Sequence, residues 1–319
     1  MRSLISKYLL FIFVSSLFLS ADTLTRTKVA MGTFVSVSLE EKNKHFIEDA
    51  FDIINDVELS LSSYKPQAKI YKLNKNKKVD LDKYIYEALQ SSTNYYEVSN
   101  GYFDITVGSI TKDLYKFGEV EMLPSDAELK NASVNFKGLF FNEKLAHIEK
   151  DMKIDLGGMG KGFAVDKVIE YLKLKNIKIA RVAASGDIRC VDKCAIQVED
   201  PFSEETMISF ETLVKDIGIS TSGNYNRYVI SKKHNHLVNP KLKESQTNFV
   251  SITLISEMKN ADLDAYATAA SVMPITLAYT FLNKLELAFI VMQSDKTLRF
   301  SDNISNYVKN LVIHDRMKK

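Results

Sequence analysis

Val35, Val37 and Leu39 alternate with Ser36 and Ser38, so the stretch from Thr27 to Leu39 reads as a β-strand with one buried face. Met31-Gly32-Thr33 interrupts it, and a glycine there permits a bulge or the close approach of a ligand. Apolar residues three and four apart predict helices over Phe46 to Leu61 and Leu81 to Val98. Between the two lie Ser62-Ser63-Tyr64-Lys65-Pro66 and a lysine-rich turn, with Lys72, Lys75, Lys77 and Lys78 read as a solvated cluster. Glu119 to Ser133 is polar and aperiodic, a surface insertion rather than a domain boundary. Ile177 to Ala184 is a strand, and Gln197-Val198-Glu199-Asp200-Pro201 closes the next. Pro274 starts a helical segment, and Leu287 to Met292 is a buried terminal strand. No internal repeat, low-complexity tract or linker divides the chain.

Glycine breaks this pattern most sharply in one place. Four of the twelve glycines fall within Asp155-Leu156-Gly157-Gly158-Met159-Gly160-Lys161-Gly162. Such a cluster marks backbone that takes positive φ or comes very close to something, and phosphate is the reading adopted here. Phe163, Val165, Val168, Ile169 and Leu172 follow at helical spacing, so the loop feeds a helix N-terminus whose free N–H groups favour anions. Lys161 adds a mobile positive charge at the same mouth. The stretch is neither a Walker A loop, since Gly162 stands where Ser or Thr would hold magnesium, nor the dinucleotide fingerprint, whose glycine spacing differs. The bland alternative is a tight turn between a strand and a helix.

Other segments carry weaker signals. In Asn260-Ala261-Asp262-Leu263-Asp264-Ala265-Tyr266-Ala267-Thr268 the side chains of Asp264 and Thr268 are four apart and face the same way on one helix, a hard-oxygen pair of the kind magnesium accepts. They could equally satisfy helix backbone. Asp104, in Gly101-Tyr102-Phe103-Asp104-Ile105-Thr106-Val107-Gly108, has the bland reading of a turn carboxylate accepting backbone N–H groups.

Composition sets bounds. The 319 residues are 45% hydrophobic and 26% charged, ordinary for a globular chain with a substantial core. The net charge of +2 comes from Arg2 and Lys7 alone, so the remainder is near neutral and gives no argument for nucleic acid. Those two cations precede the apolar run Tyr8 to Leu19, and Ser20-Ala21 offers small residues for cleavage, so residues 1–21 read as an export signal. The run is short for a membrane span; an uncleaved anchor is the alternative. The two cysteines, Cys190 and Cys194, fit a disulfide across a short turn in an oxidising compartment and cannot complete a zinc site, since no histidine stands within twenty residues of either.

Taken together, the motifs resemble the ApbE family of FAD:protein FMN transferases, in the family's order from Met31 to Thr268. Met31-Gly32-Thr33 is similar to its opening Met-Gly-Thr; Gly101 to Gly108 to its Gly-x-Phe-Asp-x-Thr-Val-Gly; Asp155 to Asp166 to its Asp-x-Gly-Gly-x-x-Lys-Gly-x-x-x-Asp. Ala184-Ser185-Gly186-Asp187-Ile188 resembles Gly-Gly-Asp-Ile with Ser185 in place of the first glycine. Thr221-Ser222-Gly223-Asn224-Tyr225-Asn226-Arg227 matches Thr-Ser-Gly-x-Tyr-x-Arg and reads as a second glycine turn with hydroxyls for phosphate or flavin oxygens. His236-Leu237-Val238-Asn239-Pro240 resembles His-Ile-Ile-Asp-Pro; Asn239 replaces the acid, and the Thr-Gly expected after the proline is missing. No cysteine near the leader offers the lipid anchor found among bacterial relatives.

The resemblance implies a single α+β domain over residues 22–319, a largely antiparallel sheet with packed helices, in an exported, periplasmic protein held at the inner membrane if the leader stays on. It implies that Met31, Thr33, Tyr64, Asp104, Lys161, Asp187, Thr221, Ser222, Gly223 and His236 surround FAD, a substrate here, and that Gly160 (by its carbonyl), Asp264 and Thr268 hold Mg2+. The implied reaction moves FMN from FAD to a Thr or Ser hydroxyl of an exported or membrane protein, with release of AMP. His236 is the sequence's best candidate for the base, and it could equally donate a hydrogen bond to phosphate. The chain lacks a Ser/Thr-Gly-Ala-Thr segment of its own, so the acceptor is a second protein that carries one. The rival expectations are an FAD pyrophosphatase, which shares every site residue, and a flavin carrier without turnover, against which Asp264 and Thr268 argue.

Overall fold

The computed structural model describes residues 23–314, so the expected leader lies outside the described residues. The predicted first strand is a hairpin. Strands β1 (Thr23–Ala30) and β2 (Thr33–Glu40) pair in register from Thr23↔Glu40 to Ala30↔Thr33. Met31 and Gly32 form the two-residue loop, at φ 52° and 71°. Primed hairpin turns need such left-handed positions, which a reading of polar alternation alone does not reveal.

The elements that follow are α1 (Phe46–Leu61), α2 (Lys69–Asn76), β3 (Lys78–Asp80), α3 (Lys83–Val98), a π-helical turn over Ser109–Leu114, α4 (Asp126–Asn131), β4 (Leu139–Phe141), β5 (Leu145–Ile148) and α5 (Gly160–Leu174). Then come β6 (Ala180–Ala184), β7 (Asp187–Cys190), β8 (Ala195–Glu199), β9 (Thr206–Thr212), β10 (Ile217–Gly223), β11 (Val238–Asn239), β12 (Glu244–Ser245) and β13 (Phe249–Ser256). The chain closes with α6 (Asn260–Ser271), α7 (Ile275–Leu282), β14 (Ala288–Gln293), β15 (Leu298–Phe300) and β16 (Val308–Ile313).

Eight strands form one sheet in the order β1-β2-β6-β7-β10-β13-β14-β15. Every neighbouring pair in it is antiparallel. One face carries helices and the other a three-stranded sheet, β16-β9-β8. Alternation along β14 sorts the side chains: Phe289 and Val291 enter the core with α3, α6 and α7, while Ala288, Ile290 and Met292 face Ile196, Ile208 and Phe210 of the small sheet. Burial on both faces turns β14 into a continuous apolar run, each large side chain contributing about 1.5–3 kcal/mol. It is not terminal, as the sequence suggested: β15 extends the sheet beyond it and β16 joins the small sheet. A third core packs Val35, Val37 and Leu39 of β2 under Phe51, Ile54, Val168 and Leu172 of α1 and α5. The α+β class with a largely antiparallel sheet is as expected.

Two polar segments are more ordered than their composition suggests. The lysine-rich turn is α2, which buries Ile70 and Leu73 and leaves Lys72 and Lys75 in water. Its Asn74 side chain grips Ile154, accepting its N–H at 2.7 Å and donating to its carbonyl at 2.8 Å, just upstream of the glycine stretch. The insertion contains α4, started by a reciprocal Ser125/Glu128 capping box. Cys190 and Cys194 are bonded to each other and close the turn from β7 into β8.

What positions the site is the start of α6. Asp166 of α5 accepts the N–H groups of Asn260 at 2.9 Å and Ala261 at 2.8 Å. The Asn260 amide donates to the carbonyls of Ile188 in β7 and Ile219 in β10. Arg189 donates to the carbonyls of Met258 and Glu257. The first turn of α6 is therefore tied to α5, β7 and β10, and Asp264 follows one helical turn later.

Candidate active site

The glycine stretch leads into α5 as expected, but none of its four glycines has positive φ. Close approach explains two of them, and the neighbour is protein. A Cβ on Gly162 would lie 2.3 Å from the Asn260 carbonyl oxygen, and one on Gly158 would lie 2.9 Å from Thr268 Cγ2. These glycines let α5 and α6 cross tightly. Gly157 and Gly160 differ: a Cβ on Gly157 meets only the Asp155 side chain, and one on Gly160 only Met31 Cε, at 3.9 Å. Met31 thus comes to the mouth of the loop from the β1–β2 turn, and Thr33, half-buried, opens β2 beside it on the face of Val35.

Around that crossing the structure brings together Lys161, Asp187, Ser222, Asp264 and Thr268. Lys161 Nζ lies 3.1 Å from Asp187 Oδ2 and 3.2 Å from Asp264 Oδ2, so it is a tethered cation rather than the mobile charge expected from its place in a loop. Burial works against its ammonium, but the two carboxylates outweigh burial and hold its pKa above the usual lysine value. Asp187 is fully buried; its Oδ1 takes the Ser220 hydroxyl at 2.5 Å, and its Oδ2 has only the ion-pair contact with Lys161. Burial, then repulsion from Asp264, pushes the Asp187 carboxyl up.

Asp264 is 3% exposed and also takes the Gly162 N–H at 3.4 Å. The Thr268 hydroxyl donates to the carbonyl of Gly158 at 3.3 Å and lies 3.3 Å from Ser222 Oγ. The carbonyl set against Thr268 is thus Gly158's, whereas Gly160, the residue named from the sequence, opens helix α5. One carboxylate, two hydroxyls and a carbonyl are all hard oxygens. Among the described residues no three His, Cys, Asp or Glu side chains cluster as a metal cage. A sparse oxygen set suits magnesium, which keeps water and substrate phosphate in its shell, so these residues fit that ion.

Thr221, Ser222 and Gly223 end strand β10 and are not the turn that the glycine suggested. The two-residue period then separates the hydroxyls. Ser220 and Ser222 face Asp187 and Thr268, whereas Thr221 points to the opposite face and pairs with Thr253 at 2.9 Å. A Cβ on Gly223 would fall 2.4 Å from the Tyr225 ring, so that glycine makes room for an aromatic side chain.

A second cluster adjoins the first. Lys112 is almost fully buried, pairs with Asp155 at 3.2 Å and lies over the Tyr64 ring. Lys112 and Arg227 both donate to the Tyr64 hydroxyl, which itself donates to the Phe117 carbonyl at 2.9 Å. Burial opposes the Asp155 carboxylate, but Lys112, the Thr111 hydroxyl and Arg227 outweigh it and hold its pKa at about 2. His236 is half-buried and donates its Nδ1–H to the Arg227 carbonyl at 3.1 Å, an assignment that follows because a carbonyl only accepts. Burial, then the charges of Arg227 and Lys161, lower its pKa to about 4, which leaves Nε2 unprotonated at neutral pH. Asp104 Oδ1 accepts the N–H and hydroxyl of Thr106, the turn role that was the bland reading.

Sequence reasoning missed Lys112, Ser220 and the roles of Asp155 and Arg227. Asp155 and Arg227 stand within quoted motifs, so their positions were visible. Ser220 follows from Ser222 once β10 is recognised as a strand. Lys112 carries no signal, because nothing in a sequence distinguishes one buried lysine from the exposed majority.

The fold and this site define an α+β domain whose oxygen-rich cluster lies where two helices cross over an antiparallel sheet. The chain belongs to the ApbE family, whose model matches residues 31–291. It is 26% identical over 282 residues to the FAD:protein FMN transferase of Buchnera aphidicola subsp. Schizaphis graminum, covering 82% of each chain. It is 25% identical over 289 residues to that of Haemophilus influenzae, covering 82% of this chain and 81% of that one. Its fold matches the ApbE protein from Thermotoga maritima with a TM-score of 0.82 at 21% identity, over 90% of this chain and 100% of that one.

Proposed function

We propose that this chain is a magnesium-dependent FAD:protein FMN transferase that acts on a Thr or Ser hydroxyl of another exported or membrane protein. The observation that carries the reading is the meeting of Asp264 and Thr268 with Lys161 and Asp187 at one helix crossing, in a chain whose relatives bear that activity in their names. Asp264, Thr268, Ser222 and the Gly158 carbonyl would hold the magnesium ion. When bound, that ion supplies charge neutralisation at the FAD pyrophosphate and makes AMP a better leaving group.

The chain's own residues do the rest. His236 Nε2 would accept the proton of the attacking hydroxyl; the bond from Nδ1 to the Arg227 carbonyl, which sets the tautomer, supports that role. The hydroxyl oxygen forms the new bond to the FMN phosphorus as the anhydride P–O bond breaks, and AMP leaves with the bonding electrons. Attack in line requires the oxygen within about 3–3.5 Å of phosphorus, so the acceptor presents its hydroxyl at the tip of an extended segment of the Ser/Thr-Gly-Ala-Thr type. The leader, with Arg2 and Lys7 ahead of the apolar run Tyr8 to Leu19, supports export to the periplasm. No described helix is long and apolar enough to cross a membrane.

The test mixes the protein with FAD, magnesium and a folded domain bearing such a segment. The domain gains the mass of FMN less one water, as a phosphoester requires, and AMP appears; changing its acceptor Thr to Val stops the gain. Release of free FMN and AMP with several well-folded acceptors, none of them labelled, would replace this reading with the pyrophosphatase.

A further inference from the structure

We propose that Lys161 is a resident counter-ion of the metal site, competing with a divalent ion for Asp264 and thereby holding down the affinity of the chain for free metal. The inference rests on the reading of Asp264 and Thr268 as metal ligands.

Two buried carboxylates, Asp187 and Asp264, converge on one ammonium at 3.1 and 3.2 Å. Their other donors are few: the Ser220 hydroxyl on Asp187 Oδ1, and the Gly162 N–H on Asp264 Oδ2 at 3.4 Å. Carboxylates so close and so dry cannot both stay ionised without a cation between them. Lys161 is that cation, and its amine occupies Oδ2 of Asp264, the carboxylate read here as a metal ligand. Unlike a backbone donor it can leave: it sits on the first turn of α5, its side chain is 28% exposed, and the contact with Asp187 Oδ2 can persist when Asp264 is given up. A metal therefore enters against the repulsion of a nearby positive charge and must break one ion pair.

Removing the charge reverses both effects. In Lys161→Met the carboxylates lose their cation, so the chain without metal is less stable, and a divalent ion meets no competitor. We expect Mn2+, used as a probe without FAD, to bind Lys161→Met at least about tenfold tighter than wild type by calorimetry and electron paramagnetic resonance. Mn2+ should also raise the melting temperature of Lys161→Met more than that of wild type. Lys161→Arg, which keeps the charge, should stay near wild type.

Equal or weaker Mn2+ binding by Lys161→Met overturns the proposal, as does a Lys161→Arg protein that behaves like Lys161→Met. Should Lys161→Met fail to fold alone, recovery of its circular dichroism on adding Mn2+ supports the proposal and failure to recover sinks it. Asp264→Asn keeps the two failures apart. It should lose Mn2+ binding with Lys161 present or absent; undiminished binding would remove the metal site itself, and the inference with it.

Discussion

His236 gives its Nδ1 proton to the carbonyl of Arg227, and that single bond decides which nitrogen of the ring faces the chemistry. The Arg227 guanidinium is in turn held by the Phe117 carbonyl and the Tyr64 hydroxyl, so the carbonyl that orients the imidazole belongs to an anchored residue. A base so oriented should be costly to lose. His236→Gln is expected to lower the rate of FMN transfer by about 10²–10⁴-fold while FAD binding changes little. A variant within threefold of wild type would remove His236 from the proton transfer.

The same ring has a stability signature. Its folded pKa, about 4, lies below the unfolded value near 6.5, so in the interval between them the unfolded chain binds more protons. Stability from this group is fully present above pH 6.5 and is lost as pH falls toward 4. The melting temperature of wild type should therefore drop through that window more steeply than that of His236→Gln. Parallel curves would show that the ring is not held neutral.

The sequence placed Asp264 beside Thr268 on one helix face without saying how deep it lies. It is buried, in contact with Lys161 and the Gly162 N–H, so alanine would leave a hole. The isosteric Asp264→Asn is the cleaner change. It is expected to fold, to melt within a few degrees of wild type, and to lose magnesium-dependent AMP release by at least about a hundredfold, since the metal supplies several kcal/mol of charge stabilisation. AMP release at the wild-type rate would end the assignment of Asp264 as a ligand.

The opposite facing of Ser222 and Thr221 yields a paired test. Ser222→Ala removes a hydroxyl 3.3 Å from Thr268 and should weaken magnesium dependence, raising the metal concentration for half-maximal AMP release severalfold. Thr221→Val removes only the bond to Thr253 and should leave that concentration unchanged. If Thr221→Val is the more damaging of the two, the face assigned from β10 is wrong.

The legible and illegible parts of the sequence divide along physical lines. Periodicity marked α1 to the residue and located α3, because a buried helical face repeats whether or not the rest of the fold is known. It failed at the β1–β2 hairpin, where the decisive fact is the left-handed φ of Met31, and at α2, where lysines interleave with Ile70 and Leu73 in a short helix. Asp187 and Asp264 were both singled out from their motifs. What the sequence left out was their sharing of Lys161, since a contact between β7, α5 and α6 is a property of the packed sheet. Ser185 shows the same limit. It stands where the motif has glycine and takes φ 56°, so the turn into Asp187 keeps a conformation that its own residue disfavours.

Glycine offers the sharpest test of how the loop is built. A Cβ on Gly162 would sit 2.3 Å from the backbone carbonyl oxygen of Asn260, a group fixed because the Asn260 N–H is bound to Asp166 and its amide to β7 and β10. Neither side can yield cheaply, so Gly162→Ala should cost about 1–3 kcal/mol and push α6, with Asp264, away from α5. Gly160 is only two residues earlier in the same helix, but a Cβ there meets nothing closer than Met31 Cε at 3.9 Å, the movable end of a flexible side chain. Gly160→Ala should therefore fold as well as wild type or gain up to about 1 kcal/mol from helix propensity. Urea unfolding of the two variants separates them directly. If both lose the same stability, the glycines act through a shared need for backbone freedom, and the close crossing of α5 and α6 is not what requires Gly162.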